Sequence, residues 1–340
     1  MDAYLKAIAS FLPAKVVTNE QLQANNPAWD MAKIAAKTKI ASRRIAGDDE
    51  TSADLAFAAA ERLFADNSIQ RDDIDYLLFC TQSPDYLLPT SACILQDRLH
   101  LPVTCGALDF NLGCSGYIYG LQLANALLLS GTAKNVLLLT GETYSKYIHP
   151  KDRSVRVLFG DAATATVITA HQGGARIVAS EVGTDGSGCG NLIVPIGGAR
   201  RRPSPEEPLE FCDENGSIRT DANLYMNGQE LFAFTLKRVP DVINRLLAKT
   251  GLTAEAIDMF VFHQANAFMN EHLRTKLHLP KEKVPLLFKD VGNTVSNTIP
   301  LAMSQIAPQL TPGSKVMLVG FGVGYSWGAC LLEWGPIHAS

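Results

Sequence analysis

The sequence lacks any apolar run of the eighteen or so residues that a membrane-spanning helix requires, and Asp2 and Lys6 interrupt its short apolar beginning. A cytoplasmic protein with no membrane partner is the expectation. Positive charge is not in excess: 30 Lys and Arg face 34 Asp and Glu, for a formal net charge of -4, with no basic run interleaved with aromatics. Nucleic acid is therefore not an expected partner. The seven cysteines are odd in number and include no C-x-x-C pair, so neither a disulfide framework nor a zinc site is indicated, and a reducing compartment fits. The glycines of GFGVGYSWG, from Gly320, lack the lysine and the ribose-binding acid of a nucleotide loop. No metal is expected.

Apolar residues are plentiful: they make up 47% of the 340 residues, and a chain of this length buries roughly three quarters of its unfolded surface, in two domains or one duplicated unit. The N-terminal half alternates strand and helix patterns. Tyr4 to Leu12, Tyr76 to Cys80, Asn135 to Leu139 and Ala162 to Ile168 read as strands. Thr51 to Ala65, capped by Thr51 or Ser52, and Thr90 to Leu99 read as helices. This alternation is that of an α/β fold with helices covering a sheet.

The second half repeats the plan. SIQRDDIDYLLFC, ending at Cys80, lines up with GLTAEAIDMFVFH, ending at His263. Cys114 with its helix and KNVLLLTG parallels Val291 to Thr294 with the next helix and SKVMLVG, and GDAATATV from Gly160 parallels GYSWGACL from Gly324. Three correspondences in one order argue for duplicated halves, residues 1–171 and 172–340, with the boundary near Gly173-Gly174. Strand ends from both halves then meet at one site. Residues 196–213, rich in Gly, Pro and charge and including Arg200-Arg201-Arg202, read as a surface excursion.

Cys114 stands at a turn between the strand pattern of Ala107 to Phe110 and a long apolar helix pattern. A helix N-terminus favours thiolate over thiol, which is how a nucleophile is made, although a lone cysteine reads equally well as a small buried hydrophobe. His263 ends the strand Met259 to Phe262, and Asn293 lies in the glycine-flanked turn before an apolar helix. Singly, these two read as a structural histidine and a helix cap. Their equivalent places in matched halves make a shared catalytic role the better reading. Asp161, in FGDAA, is expected to orient a turn.

Along nearly its whole length the chain resembles the ketoacyl-acyl carrier protein synthase III family of thiolase-like condensing enzymes. The resemblance is carried by NLGCSGYIYGL at Asn111, DRSVRVLFGDAATA at Asp152, HQAN at His263, VGNTVSNTIP at Val291 and GFGVGYSWGACL at Gly320. It implies a five-layered α/β/α/β/α fold, a homodimer, and an acyltransferase that needs no cofactor beyond its coenzyme A or phosphopantetheine thioester substrates. Cys114 would take an acyl group from acyl-coenzyme A or an acyl carrier protein, then condense it with a malonyl thioester after decarboxylation. His263 and Asn293 would donate hydrogen bonds to the malonyl thioester carbonyl, and the backbone N–H groups of Cys114 and Val323 would form a second oxyanion hole. Further substrate contacts are implied at Lys37, Arg153, Phe268 and Leu88. Val323 replaces the family's usual glycine. Lys33 stands where a tryptophan that packs on adenine is usual, with Trp29 out of register; Phe268 replaces a basic residue, and Ala233 a carrier-facing lysine. Two rival readings are an acyltransferase to an oxygen or nitrogen acceptor and a noncatalytic acyl-binding partner subunit. The intact Cys, His and Asn set argues against both.

Overall fold

The computed structural model describes residues 2–65, 69–203, 209–214 and 216–340. Ser68, at the start of the first repeated segment, and residues 204–208 of the excursion lie outside them. Among the described residues nine strands make up the body of the main sheet: β1 (Tyr4–Phe11), β2 (Tyr76–Cys80), β3 (Gly106–Phe110), β4 (Asn135–Glu142), β5 (Ala162–Thr169), β6 (Ala175–Thr184), β7 (Met259–Phe262), β8 (Lys315–Gly322) and β9 (Ser326–Glu333). Together with the short His338–Ala339 they form one sheet in the order β7-β8-β9-β6-β1-β5-β4-β2-β3. Outward from the middle, one arm runs β1, β5, β4, β2, β3 and the other β6, β9, β8, β7, so both follow the same chain order, except that among the described residues the second arm has no counterpart of β3. Only the inner-lying pairs are antiparallel. β2 is parallel to β3 and β4, as β7 is to β8.

The helices are α1 (Asn19–Asn25), α2 (Met31–Thr38), α3 (Ser52–Phe64), α4 (Ser91–Arg98), α5 (Gly116–Leu129), α6 (Arg153–Arg156), α7 (Gly228–Thr250), α8 (Ala267–Lys276) and α9 (Thr298–Ile306). Side chains of successive strand residues point to opposite faces, and here the two faces enter different cores. Leu77, Leu137 and Leu139 pack with α3 and α4. Their neighbours Leu78 and Leu138 pack with Ile118 and Leu121 of α5 and Ile299 of α9. In the second arm Phe260, Phe262, Met317 and Val319 meet α7 and α8, while Val261, Val316 and Leu318 join the α5/α9 core. The result is five layers: α3/α4, strands, α5/α9, strands, α7/α8. Strands covered on both faces need continuous apolar runs, which is why YLLFC, MFVF and KVMLV read as they do. α5 buries Ile118, Leu121, Ala124 and Leu128 between the strands, while Leu123 and Leu129 stay exposed.

The sequence-based bounds hold to within a residue at most ends. Thr51 caps α3 through a reciprocal box: its Oγ1 accepts from Asp54 N (3.2 Å) and Asp54 Oδ2 accepts from Thr51 N (2.9 Å). β4 runs three residues beyond Leu139, because Thr140, Gly141 and Glu142 continue the antiparallel ladder with Thr164, Ala163 and Ala162. That extension buries Glu142 beside the site. The described part of the excursion contains the short strand Phe211–Cys212, and Arg200 to Arg202 are exposed.

Candidate active site

A cavity of about 1060 Å³ opens between α2, α7, α8 and the ends of the central strands, and Cys114, His263 and Asn293 all line it. Cys114 and His263 are delivered by a strand followed by a turn, whereas Asn293 sits in a turn that no strand precedes. β3 leads into Asn111 to Ser115 and then α5, β7 ends one residue before His263, and the Asn293 turn leads into α9. Gly116 is required where α5 starts, since a Cβ there would lie 2.3 Å from Cys80 Sγ. Gly292, at φ 71, takes a left-handed turn in which a Cβ would lie 2.6 Å from Leu158 O.

Cys114 departs from expectation in its protonation. Ser115 is the N-cap of α5, so the sulfur sits just outside the helix. Burial first, and Glu142 second, push its thiol up to about 12; its own backbone N–H opposes this without prevailing. Desolvation outweighs that backbone donor, and Cys114 rests as a thiol. The sulfur packs against the β8 end, where a Cβ on Gly322 would be 3.0 Å away. Val323 follows, its Cγ1 2.8 Å from where a Cβ on Gly113 would stand. Its branched side chain thus fills space beside the nucleophile while its backbone remains at the turn.

Asn293 is held by backbone bonds on both sides, from Asn293 N to Leu158 O (2.8 Å) and from Gly160 N to Asn293 O (3.0 Å). Its Oδ1 accepts from Val295 N at 2.9 Å, and a backbone N–H can only be met by the oxygen. The Nδ2 hydrogens are left as the end available to the cavity. Val295 is a β-branched residue at φ 57, a strained conformation that costs about 1–3 kcal/mol and marks this turn as one held for a purpose.

His263 stands edge-on to Phe321, at 5.4 Å and 88°. Burial pushes its pKa down to about 3, so the ring is neutral. Nδ1 lies 2.7 Å from Thr298 Oγ1, which is also 3.0 Å from Val295 O. The Thr298 hydroxyl proton goes either to Val295 O, leaving Oγ1 to accept from an Nδ1–H, or to an unprotonated Nδ1. When Nδ1 receives it, the ring proton sits on Nε2 and that nitrogen becomes a donor. Thr298→Val is expected to lower condensation roughly tenfold, the cost of losing one buried hydrogen bond, with Thr298→Ser restoring it. Turnover assays of the two variants check this.

At the mouth, Lys37, Arg153 and Phe268 line the cavity as expected. Phe268 does not stand alone: its ring is 5.3 Å from Phe232 and 4.3 Å from His272, and Lys37 Nζ lies 4.1 Å above it. Lys33 and Ala233 are exposed, whereas Trp29 is buried with Val17, Leu22, Met31, Ile45 and Val157 and serves the core. Leu88 is the exception among the expected contacts. It is 82% exposed and does not line the cavity, because the segment from Tyr86 to Leu88 projects from the surface. Asp161 orients turns, accepting from Ala46 N, Ser145 N and Ser145 Oγ. Sequence reasoning missed Thr298 and Glu142, since neither a threonine in a helix start nor an acid at a strand end carries a signal of its own.

Fold and site together define a thiolase-fold acyltransferase of the condensing type. Residues 108–186 match the family model described as 3-oxoacyl-[acyl-carrier-protein (ACP)] synthase III, and residues 247–334 match that of its C terminal. The β-ketoacyl-[acyl-carrier-protein] synthase III of Caldanaerobacter subterraneus subsp. tengcongensis is 35% identical, over 96% of each chain. A solved 3-oxoacyl-(acyl-carrier-protein) synthase III is 51% identical with a TM-score of 0.95, covering 98% of this chain and 100% of its own. Another, from Burkholderia xenovorans LB400, is 38% identical with a TM-score of 0.91, covering 100% of this chain and 96% of its own. The chain belongs to the 3-oxoacyl-[acyl-carrier-protein] synthase III family.

Proposed function

We propose that Cys114 is the nucleophile of a decarboxylative Claisen condensation that begins an acyl chain, in fatty acid initiation or in polyketide-type metabolism. The thiol adds to the carbonyl of an acyl thioester, borne by coenzyme A or a carrier protein, and the carrier thiol leaves with the proton. The acyl group remains on sulfur. A malonyl thioester then loses carbon dioxide, and the electron pair of the broken bond is held as an enolate by His263 and Asn293. Its carbon attacks the acyl-enzyme, and the Cys114 sulfur departs as a thiolate that regains its proton from water. The observation that carries this reading is Asn293: its oxygen is spent on Val295 N, so only donors remain for the cavity that Cys114 and His263 share. Incubation with a panel of acyl thioesters, followed by intact mass measurement, tests it. An acyl adduct on Cys114 without a condensation product from malonyl thioester would favour transfer to an oxygen or nitrogen acceptor. No adduct with any acyl group would favour a noncatalytic subunit.

A homodimer in the cytoplasm belongs to the same proposal. Tyr86, Leu87 and Leu88 expose a continuous apolar surface, of the kind a second copy covers. The mouth residues bear on the choice of carrier. An aromatic platform for adenine is missing at exposed Lys33, a loss of about 1–3 kcal/mol by analogy with base stacking, and Phe268 supplies no charge to a phosphate. At least one substrate is therefore expected to be used roughly tenfold better on a carrier protein than on coenzyme A. Comparing kcat/KM for one acyl group on both carriers checks this; preference for coenzyme A in both half-reactions would sink it.

A further inference from the structure

Glu142 is the last residue of β4, wholly buried, and no part of the reaction above uses it. Its Oε1 accepts from Ser296 Oγ at 3.2 Å and its Oε2 from Ser83 Oγ at 3.3 Å, with Gln82 N shared between them at 3.3 and 3.1 Å. These contacts reach both sides of the site. Ser296 belongs to the turn that carries Asn293. Gln82 leads to the nucleophile loop: its Nε2 donates to Asn111 Oδ1 at 2.8 Å, its Oε1 accepts from Tyr144 OH, and that oxygen packs on Gly113 beside Cys114.

Among the described residues no cation pairs with Glu142. The titratable groups facing it are Cys80 at the end of β2, Cys114 before α5, Tyr144 and Tyr147 after β4, and Asp161 before β5, all of them acids. An unpaired buried anion among acids is unfavourable. We propose that Glu142 is a positioning residue that joins the Asn293 turn to the Cys114 loop as an uncharged acid, and that its ionisation suppresses the nucleophile. The same serines serve the neutral form, one of them accepting the carboxyl proton. Burial holds Glu142 up to about 8, which places the change within reach of experiment.

The proposal rests on Cys114 as the nucleophile, and its test is separable from that reading. Alkylation of the native protein by iodoacetamide is followed at the Cys114 peptide by mass spectrometry, from about pH 6.5 to about pH 9.5, for the wild type and Glu142→Gln. Glutamine copies the neutral acid. The rates should agree at the acid end, where both side chains are uncharged. They should diverge as pH rises, the variant reacting roughly tenfold faster or more, since a neighbouring like charge raises a thiol pKa by about one unit or more. A rate ratio that stays constant across the range overturns the proposal. Failure of acyl thioesters to label Cys114 would instead remove the catalytic reading and leave this ratio unaffected.

Discussion

Replacing Cys114 by alanine is expected to abolish both acyl capture and condensation, with no measurable turnover, while the protein melts as before. The sulfur is the only atom lost, and it already faces a cavity at the start of α5, so little new void is created in the core. No neighbour can substitute. Cys80, which also faces Glu142, is fully buried, gives its S–H to Leu112 O at 3.0 Å, and has its pKa raised by burial and by Glu142. Intact mass after incubation with acyl thioester reads the result, and a stable acyl adduct on the alanine variant would show that the nucleophile lies elsewhere. Because Cys114 rests as a thiol, with burial as the larger cause, wild-type acylation should quicken as pH rises until Glu142 ionises.

Alanine at His263 or Asn293 should slow decarboxylation of the malonyl thioester by roughly a hundredfold or more, about 3 to 4 kcal/mol of barrier, while Cys114 still accepts acyl groups. The two side chains present donors to one developing enolate oxygen, so the double variant should cost less than the product of the single losses. Single-turnover assays separate the steps; equal damage to acylation and decarboxylation would mean that these residues act on the thiol. The His263 loss should be the same at about pH 6 and about pH 8, because burial pushes that imidazole down to about 3 and it stays neutral throughout. Neutral donors in a dry cavity need no protonation to work, which suits a step that creates an anion.

The strands could be read from the sequence, and so could the nearness in space of Cys114, His263 and Asn293. Runs such as YLLFC and MFVF have one stable use, a strand covered on both faces, and the observed bounds of β2 and β7 match the runs residue for residue. Two arms that share a strand order call for a like succession of apolar runs and turns. Tertiary structure alone decided protonation and access. Cys114 reads as an activated thiolate from its place before a helix, yet strands and acids distant in the chain bury it and raise its pKa. Thr298, 35 residues away, governs which nitrogen of His263 can donate. Trp29 proved a core residue, while Leu88 is exposed on this chain. Local pattern selects an element because backbone hydrogen bonding and side-chain period act over a few residues. The charge state and the free face of a side chain depend on what the completed fold packs around it.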